Sequence, residues 1–213
     1  MNICIINGSP KTGKSTSEQI IEYLTQNIKQ HKISIYNIIK TALSEENYIE
    51  IRNCDVLIFV FPLYVDSIPA HLIKFLIELE KKQFINKNAV VYCAVNNGFF
   101  EGKQNHLAIE QIKFWCNSVK LKWGQGIGLG AGEMLPFLKD IPLGHGPNKN
   151  IGYAIKRLSL NIQSKKSEAD ILVSPNWPRI LWKIQSSLLV WYPRAKSNGL
   201  KRRTLHTRLK DDV

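Results

Sequence analysis

Short apolar runs alternate with amphipathic stretches through most of the chain. Asn2–Asn7 (NICIIN) is an apolar run that stops at a glycine turn, the pattern of a buried strand. Ile20, Ile21, Leu24 and Ile28 then recur at helical spacing, and Ser15 with Glu18 sets a capping box at the start of that helix. Residues 32–38 (KISIYNI) alternate as a strand does. A polar stretch with Ile49 and Ile51 leads to Val56–Phe61, an unbroken apolar strand that Pro62 stops. Leu72, Ile73, Phe75, Leu76 and Leu79 predict a helix, Ala89–Val95 a buried strand, and Ala108, Ile112, Trp115 and Val119 another helix.

A fifth strand is expected within 122–132, where Gly124, Gly126, Gly128, Gly130 and Gly132 fall at period two. One face of such a strand is bare, so another element can approach it closely. Gly126–Ala131 also spells G-x-G-x-x-A, but its alternation speaks for strand, and no acidic residue follows at the dinucleotide-binding distance. Pro136, Pro142, Gly144, Gly146 and Pro147 mark a long loop. Ile151, Ala154, Ile155, Leu158 and Ile162 give a last helix. Apolar strands alternating with helices imply a parallel sheet covered on both faces. Ligands of such sheets bind beyond the carboxyl ends of the strands. That directs attention to the loops after strands one, three and four.

Composition divides the chain. Its 213 residues carry 29 Lys+Arg against 17 Asp+Glu, a net charge of +12. Residues 174–213 hold nine of the basic residues and two of the acidic ones, leaving 20 and 15 for residues 1–173. The short C-terminal piece therefore has +7 and the larger part +5. We expect a domain over 1–173 and a basic, aromatic helical arm over 174–213. No apolar run reaches the roughly 20 residues of a membrane-spanning helix, and the N-terminus lacks the basic start of a secretory signal. Cys4, Cys54, Cys93 and Cys116 are widely spaced, so a reducing, cytoplasmic setting is expected. The five histidines show no metal-site spacing, and no metal is expected.

The chemistry concentrates after the first strand. Gly8-Ser9-Pro10-Lys11-Thr12-Gly13-Lys14-Ser15 opens a helix with glycines, hydroxyls and lysines together. Such a loop offers backbone N–H groups and a helix N-terminus to a phosphate. Read literally, it is also G-x-x-x-x-G-K-S, the loop of P-loop NTPases. Those proteins hold Mg²⁺ with an aspartate at the end of another strand. Here the strands end in Phe61-Pro62 and Asn96-Asn97, while Asp55 precedes its strand and Asp66 lies beyond Tyr64.

Three segments, in order, resemble the NADPH-dependent FMN reductase-like, flavodoxin-like NAD(P)H oxidoreductase family. INGSPKTGKSTS resembles its phosphate loop, FPLYVDSIPAHLIKFL its second flavin loop, and VNNGFFEGKQNHLAI its third; together they fall within about residues 1–135. The resemblance implies a flavodoxin-like three-layer α/β sandwich around a five-stranded parallel sheet. It implies FMN as cofactor and NAD(P)H as co-substrate. Ser9, Lys11, Ser15, Thr16 and Ser17 match the phosphate-binding segment through hydroxyls and loop amides. Pro62, Leu63, Tyr64 and Val65 match the loop along the isoalloxazine edge. Asn96, Asn97, Gly98, Phe99 and Phe100 match the loop facing the flavin pyrimidine, with the two phenylalanines able to wall the ring. The flavin would carry the chemistry, so no catalytic residue is expected. No cysteine cluster lies between Pro62 and Ala89, which separates the chain from iron–sulfur flavoproteins of this fold.

In the arm, Ser174-Pro175-Asn176-Trp177-Pro178 reads as a linker. Leu181, Ile184, Leu188 and Trp191 follow on one helix face, with basic residues from Arg194 through Lys196, Lys201, Arg202 and Arg203 to Arg208. Packing on the domain or across a homodimer is favoured over peripheral membrane contact, and nucleic acid is not expected. The whole reads as an oxidoreductase taking hydride from NAD(P)H for a small acceptor such as a quinone, azo or nitro compound. The alternatives are a P-loop ATP- or GTP-binding protein using Gly8 to Ser15, and a flavodoxin-like binding module without turnover.

Overall fold

The computed structural model describes residues 1–39, 43–201, 203 and 205. Arg202 and Arg208 of the basic tail lie outside the described residues. The chain divides into two compact units, Met1–Asn176 and Trp177–Val213.

The larger unit is a parallel sheet between two layers of helices. Its strands are β1 (Asn2–Asn7), β2 (Lys32–Asn37), β3 (Val56–Pro62), β4 (Val90–Asn96), β5 (Lys122–Leu129) and β6 (Ile171–Val173), in the order β2-β1-β3-β4-β5-β6. All pairings are parallel. Strand order reverses at β1, which pairs with both β2 and β3, so the crevice for a ligand opens beyond the carboxyl ends of these strands.

Because side chains alternate along a strand, the sheet supplies two cores. Ile3, Ile5, Ile58, Val60, Tyr92 and Ile127 face α1 (Thr16–Ile28) and α5 (Lys149–Ser164). Cys4, Ile6, Phe59, Phe61, Cys93 and Val95 face α2 (Glu45–Asn53), α3 (Ala70–Lys82) and α4 (His106–Ser118). The capping box at Ser15 and Glu18 is formed in both directions, with Glu18 N–H donating to Ser15 Oγ and Ser15 N–H donating to Glu18 Oε2.

The sheet departs from expectation in three places. It has six strands rather than five, because Ile171–Val173 adds to the outer edge of β5. Three residues are too few to show alternation, so β6 leaves no pattern in the sequence. Residues 45–53, expected as a polar stretch, form α2 under a second capping box at Ser44 and Asn47. Finally, the pairing of β4 with β5 shifts register between Val91 and Tyr92. That irregularity puts Gly124 against the Tyr92 ring, whereas Gly126 faces Ile109 of α4 and Gly128 faces Asn105. The glycines therefore do not share one face, although each relieves a close approach.

In the smaller unit, α6 (Arg179–Ser186) runs through a π-helical turn, Ser187–Trp191, into α7 (Tyr192–Ser197). Pro193 cannot donate the usual helical hydrogen bond, and a single wide turn is a common accommodation of that loss. Among the described residues, no helix is long and apolar enough to cross a membrane.

Candidate functional site

Three loops leave the carboxyl ends of β1, β3 and β4 and meet in a groove. It encloses about 480 Å³ of empty space, open solvent included. Ser9, Lys11, Ser15, Thr16 and Ser17 line it from the first loop; Pro62, Leu63 and Tyr64 from the second; Asn96, Asn97 and Gly98 from the third. Val65, Phe99 and Phe100, expected at the site, are not among the lining residues. Val65 projects into solvent at the tip of its turn, and Phe99 is exposed.

The first loop reads as a donor array. Ser9 Oγ accepts from Lys11 N–H at 3.4 Å, Ser15 Oγ from Glu18 N–H at 3.1 Å, and Ser17 Oγ from Asn96 Nδ2 at 3.1 Å. Each serine oxygen is thus engaged by a protein donor, and its O–H remains available to give. Thr16 differs, because its hydroxyl donates to Gly132 O at 3.1 Å. It can offer the groove its backbone N–H rather than its side chain. The capping box uses the amides of Ser15 and Glu18, so those of Thr16 and Ser17, on the first turn of α1, have no partner inside the helix. Lys11 and Lys14 are exposed, so their charges act through solvent.

The loops are tied to one another. Gly8 N–H donates to Val60 O at 2.9 Å, and His71 Nε2 lies 2.9 Å from Gly8 O. Leu63 N–H donates to Asn96 O at 2.7 Å. Asn96 Nδ2 reaches Phe61 O at 3.2 Å as well as Ser17 Oγ, so one buried amide spans the ends of β3, β4 and the start of α1. Tyr64 and Ser67 exchange backbone hydrogen bonds of 3.0 Å across a tight turn whose central residues, Val65 and Asp66, have φ of 47° and 55°. That turn fixes Tyr64 beside the groove.

The third loop is clamped by the exit of β5, which the sequence reading did not count among the site loops. Asn97 O accepts from Gly132 N–H at 2.6 Å, and Phe99 O accepts from Ala131 N–H at 2.5 Å. Asn97 Nδ2 donates to Glu101 O at 3.2 Å, while its buried Oδ1 has no hydrogen-bond partner among the described residues. A buried acceptor left open beside a groove suits a ligand N–H or O–H. The same exit brings in Glu133, which lines the groove near Gly98. The signal for it was available, since β5 is parallel to β4 and its loop emerges at the same end of the sheet.

A sequence profile described as "Flavodoxin-like fold" matches residues 1–111. No curated protein matches the chain in sequence. Among solved structures, an apo NADH:FMN oxidoreductase superposes with a TM-score of 0.59 at 19% identity, covering 76% of this chain and 89% of that one. A Streptococcus pneumonia flavodoxin gives 0.55 at 11%, covering 78% and 99%. An FMN-dependent NADH-azoreductase from Bacillus anthracis, solved in complex with FMN, gives 0.53 at 14%, covering 75% and 100%. At such identities the likeness is one of fold.

Proposed function

The chain belongs to the flavodoxin-like fold family, and from that premise we propose that it is an FMN-dependent oxidoreductase. It takes hydride from NAD(P)H and passes electrons to a small acceptor such as a quinone, azo or nitro compound. The observation that carries this reading is the groove itself. A cluster of hydroxyl donors and first-turn amides comes from the first loop, with Lys11 beside it, and the amides of Asn96 and Asn97 line the rest together with Pro62, Leu63, Tyr64, Gly98 and Glu133. An array of neutral donors at a helix N-terminus suits a phosphate monoester. The open Oδ1 of Asn97 and the flat, apolar face of Leu63 and Tyr64 suit a planar ring that also carries N–H donors.

Residues of this chain would act by binding and orientation. Ser9, Ser15 and Ser17 would donate O–H bonds to the phosphate, with the N–H groups of Thr16 and Ser17 completing its shell. Pro62, Leu63 and Tyr64 would exclude water along one edge of the ring, and Asn97 would fix its rotation. When bound, FMN supplies the hydride- and electron-transfer chemistry that no side chain here can supply. That structural neighbours include an NADH:FMN oxidoreductase and an FMN-dependent NADH-azoreductase supports this reading.

Purified protein tests it. We expect yellow protein, or colourless protein that takes up added FMN, and bleaching by NAD(P)H without oxygen. Protein that rejects FMN and binds Mg·ATP overturns the proposal in favour of an NTP site at Gly8 to Ser15. Protein that binds FMN but stays oxidised with both nicotinamides is a binding module rather than an enzyme. The double variant Ser9→Ala, Lys11→Ala is expected to weaken FMN binding about tenfold or more, since losing one donor to a charged group costs about 1.5–3 kcal/mol.

A further inference from the structure

The C-terminal unit has no place in the proposed redox chemistry, yet it carries +7 of the chain's +12 and a run of exposed apolar side chains. Ile180, Ile184, Leu188 and Trp191 recur at i, i+4, i+8 and i+11, with Leu181 beside them, and so occupy one side of the α6–π–α7 rod. They are exposed, Ile180 by 74%, Leu188 by 53% and Trp191 by 58%. Arg179 and Lys183 fall on the other side of the rod. Among the described residues of this unit, only Ala195 is buried, so nothing within the unit covers the apolar side. Arg194 and Lys196 close the last turn, and no acidic residue occurs between positions 174 and 210.

We propose that this arm docks on the surface of an anionic lipid bilayer. The occupant is chosen by charge. A second copy of the arm would bring another +7, with acidic residues only at Asp211 and Asp212, against the basic turns, and residues 1–173 carry +5 of the same sign. A nucleic acid would satisfy the cations but leave a row of isoleucine, leucine and tryptophan in water. An anionic bilayer accommodates both features, because its interface takes up the apolar side while its headgroups attract the basic residues. Trp177, Trp182 and Trp191 belong to the residue type that prefers that interface. The proposal stands independently of the FMN reading.

The test is co-sedimentation of the full-length protein with vesicles. Expected is binding to mixed phosphatidylcholine–phosphatidylserine vesicles, much weaker binding to pure phosphatidylcholine, and loss of binding at high salt. Leu188→Glu with Trp191→Glu should lower partitioning at least about tenfold, since each replaces a membrane-inserted apolar side chain with a charge. Arg194→Gln with Lys196→Gln should lower it about 25-fold, at roughly fivefold for each cation near the surface. The second pair leaves the apolar side intact and guards against misfolding of the first. An unchanged thermal midpoint in either pair shows that the main unit is undisturbed. The proposal is overturned by absence of vesicle binding, by equal binding to neutral and anionic vesicles, or by binding that both variants retain. It is also overturned if the arm gives only duplex DNA binding or only self-association.

Discussion

The turn that holds Tyr64 beside the groove is strained, and the strain can be measured. Val65 and Asp66 both sit in the left-handed region, at φ 47° and 55°, inside a two-residue turn closed by paired hydrogen bonds of 3.0 Å between Tyr64 and Ser67. Turns of this kind favour Asn or Asp at the first centre and Gly at the second. Valine is a poor choice there, because its branched Cβ crowds the backbone at positive φ. The left-handed conformation costs an L-residue about 1–2 kcal/mol, and asparagine escapes much of it by local hydrogen bonding. Val65 is 97% exposed, so replacing it forfeits no burial. Val65→Asn should therefore stabilise the protein by about 1 kcal/mol, which for a unit of this size raises the thermal midpoint by about 2–4 °C. Val65→Thr keeps the branch and should match the parent. Calorimetry or urea unfolding of the three proteins decides. If Val65→Asn is no more stable than Val65→Thr, the turn is not strained in the way its dihedral angles imply.

Two other outcomes follow from the same geometry. In Gly130→Ala the new Cβ would clash with Phe100 O and lie 2.7 Å from Gly102 N, both backbone atoms. Urea unfolding should show a loss of about 3 kcal/mol, at the upper end for overpacking. The Glu168 carboxyl is held down to about 2 from an ordinary value of 4.5, first by the Asn161 amide and then by Lys166 and Arg157. Its folded value lies below the unfolded one, so its contribution is complete above about pH 4.5 and is lost as pH falls towards 2. Glu168→Gln should flatten the stability–pH curve in that window, and a curve of unchanged slope there would refute the linkage.

What the sequence made legible was whatever repeated. Five of the strands show as apolar runs or alternation, and the capping box at Ser15 and Glu18 placed the start of α1 to the residue. The layering then follows from period two along the strands. The misses are features without a repeat. α2 buries only Tyr48 and Ile51 and leaves Ile49 exposed, so its apolar stripe is too thin to see, and its capping box has Asn47 where the usual pattern has Glu or Gln. The bulge opposite Tyr92 is a local slip in pairing that no single strand encodes. Glu133 entered the groove because the third loop folds back on the exit of β5, a contact fixed by the backbone bonds of Ala131 and Gly132 rather than by side-chain type.

The donor array also says which half of the phosphate loop should matter more. The Ser17 hydroxyl is 1% exposed as part of its residue, and its oxygen is already held by Asn96 Nδ2, which aims the remaining proton before any ligand arrives. Ser9 and Ser15 are buried with their oxygens likewise occupied. Pre-aimed neutral donors gain from low surrounding polarity and give up little freedom on binding. Lys11 and Lys14 are exposed, so salt screens them and holding their long chains in place costs entropy. Within the Ser9, Lys11 double variant, the serine should then account for most of the loss of FMN affinity. Raising ionic strength should weaken binding of the parent protein only slightly. Titration of the two single variants at low and high salt separates the contributions. A Lys11→Ala variant that loses more affinity than Ser9→Ala, with binding that falls steeply with salt, would mean that charge rather than oriented hydroxyls holds the phosphate.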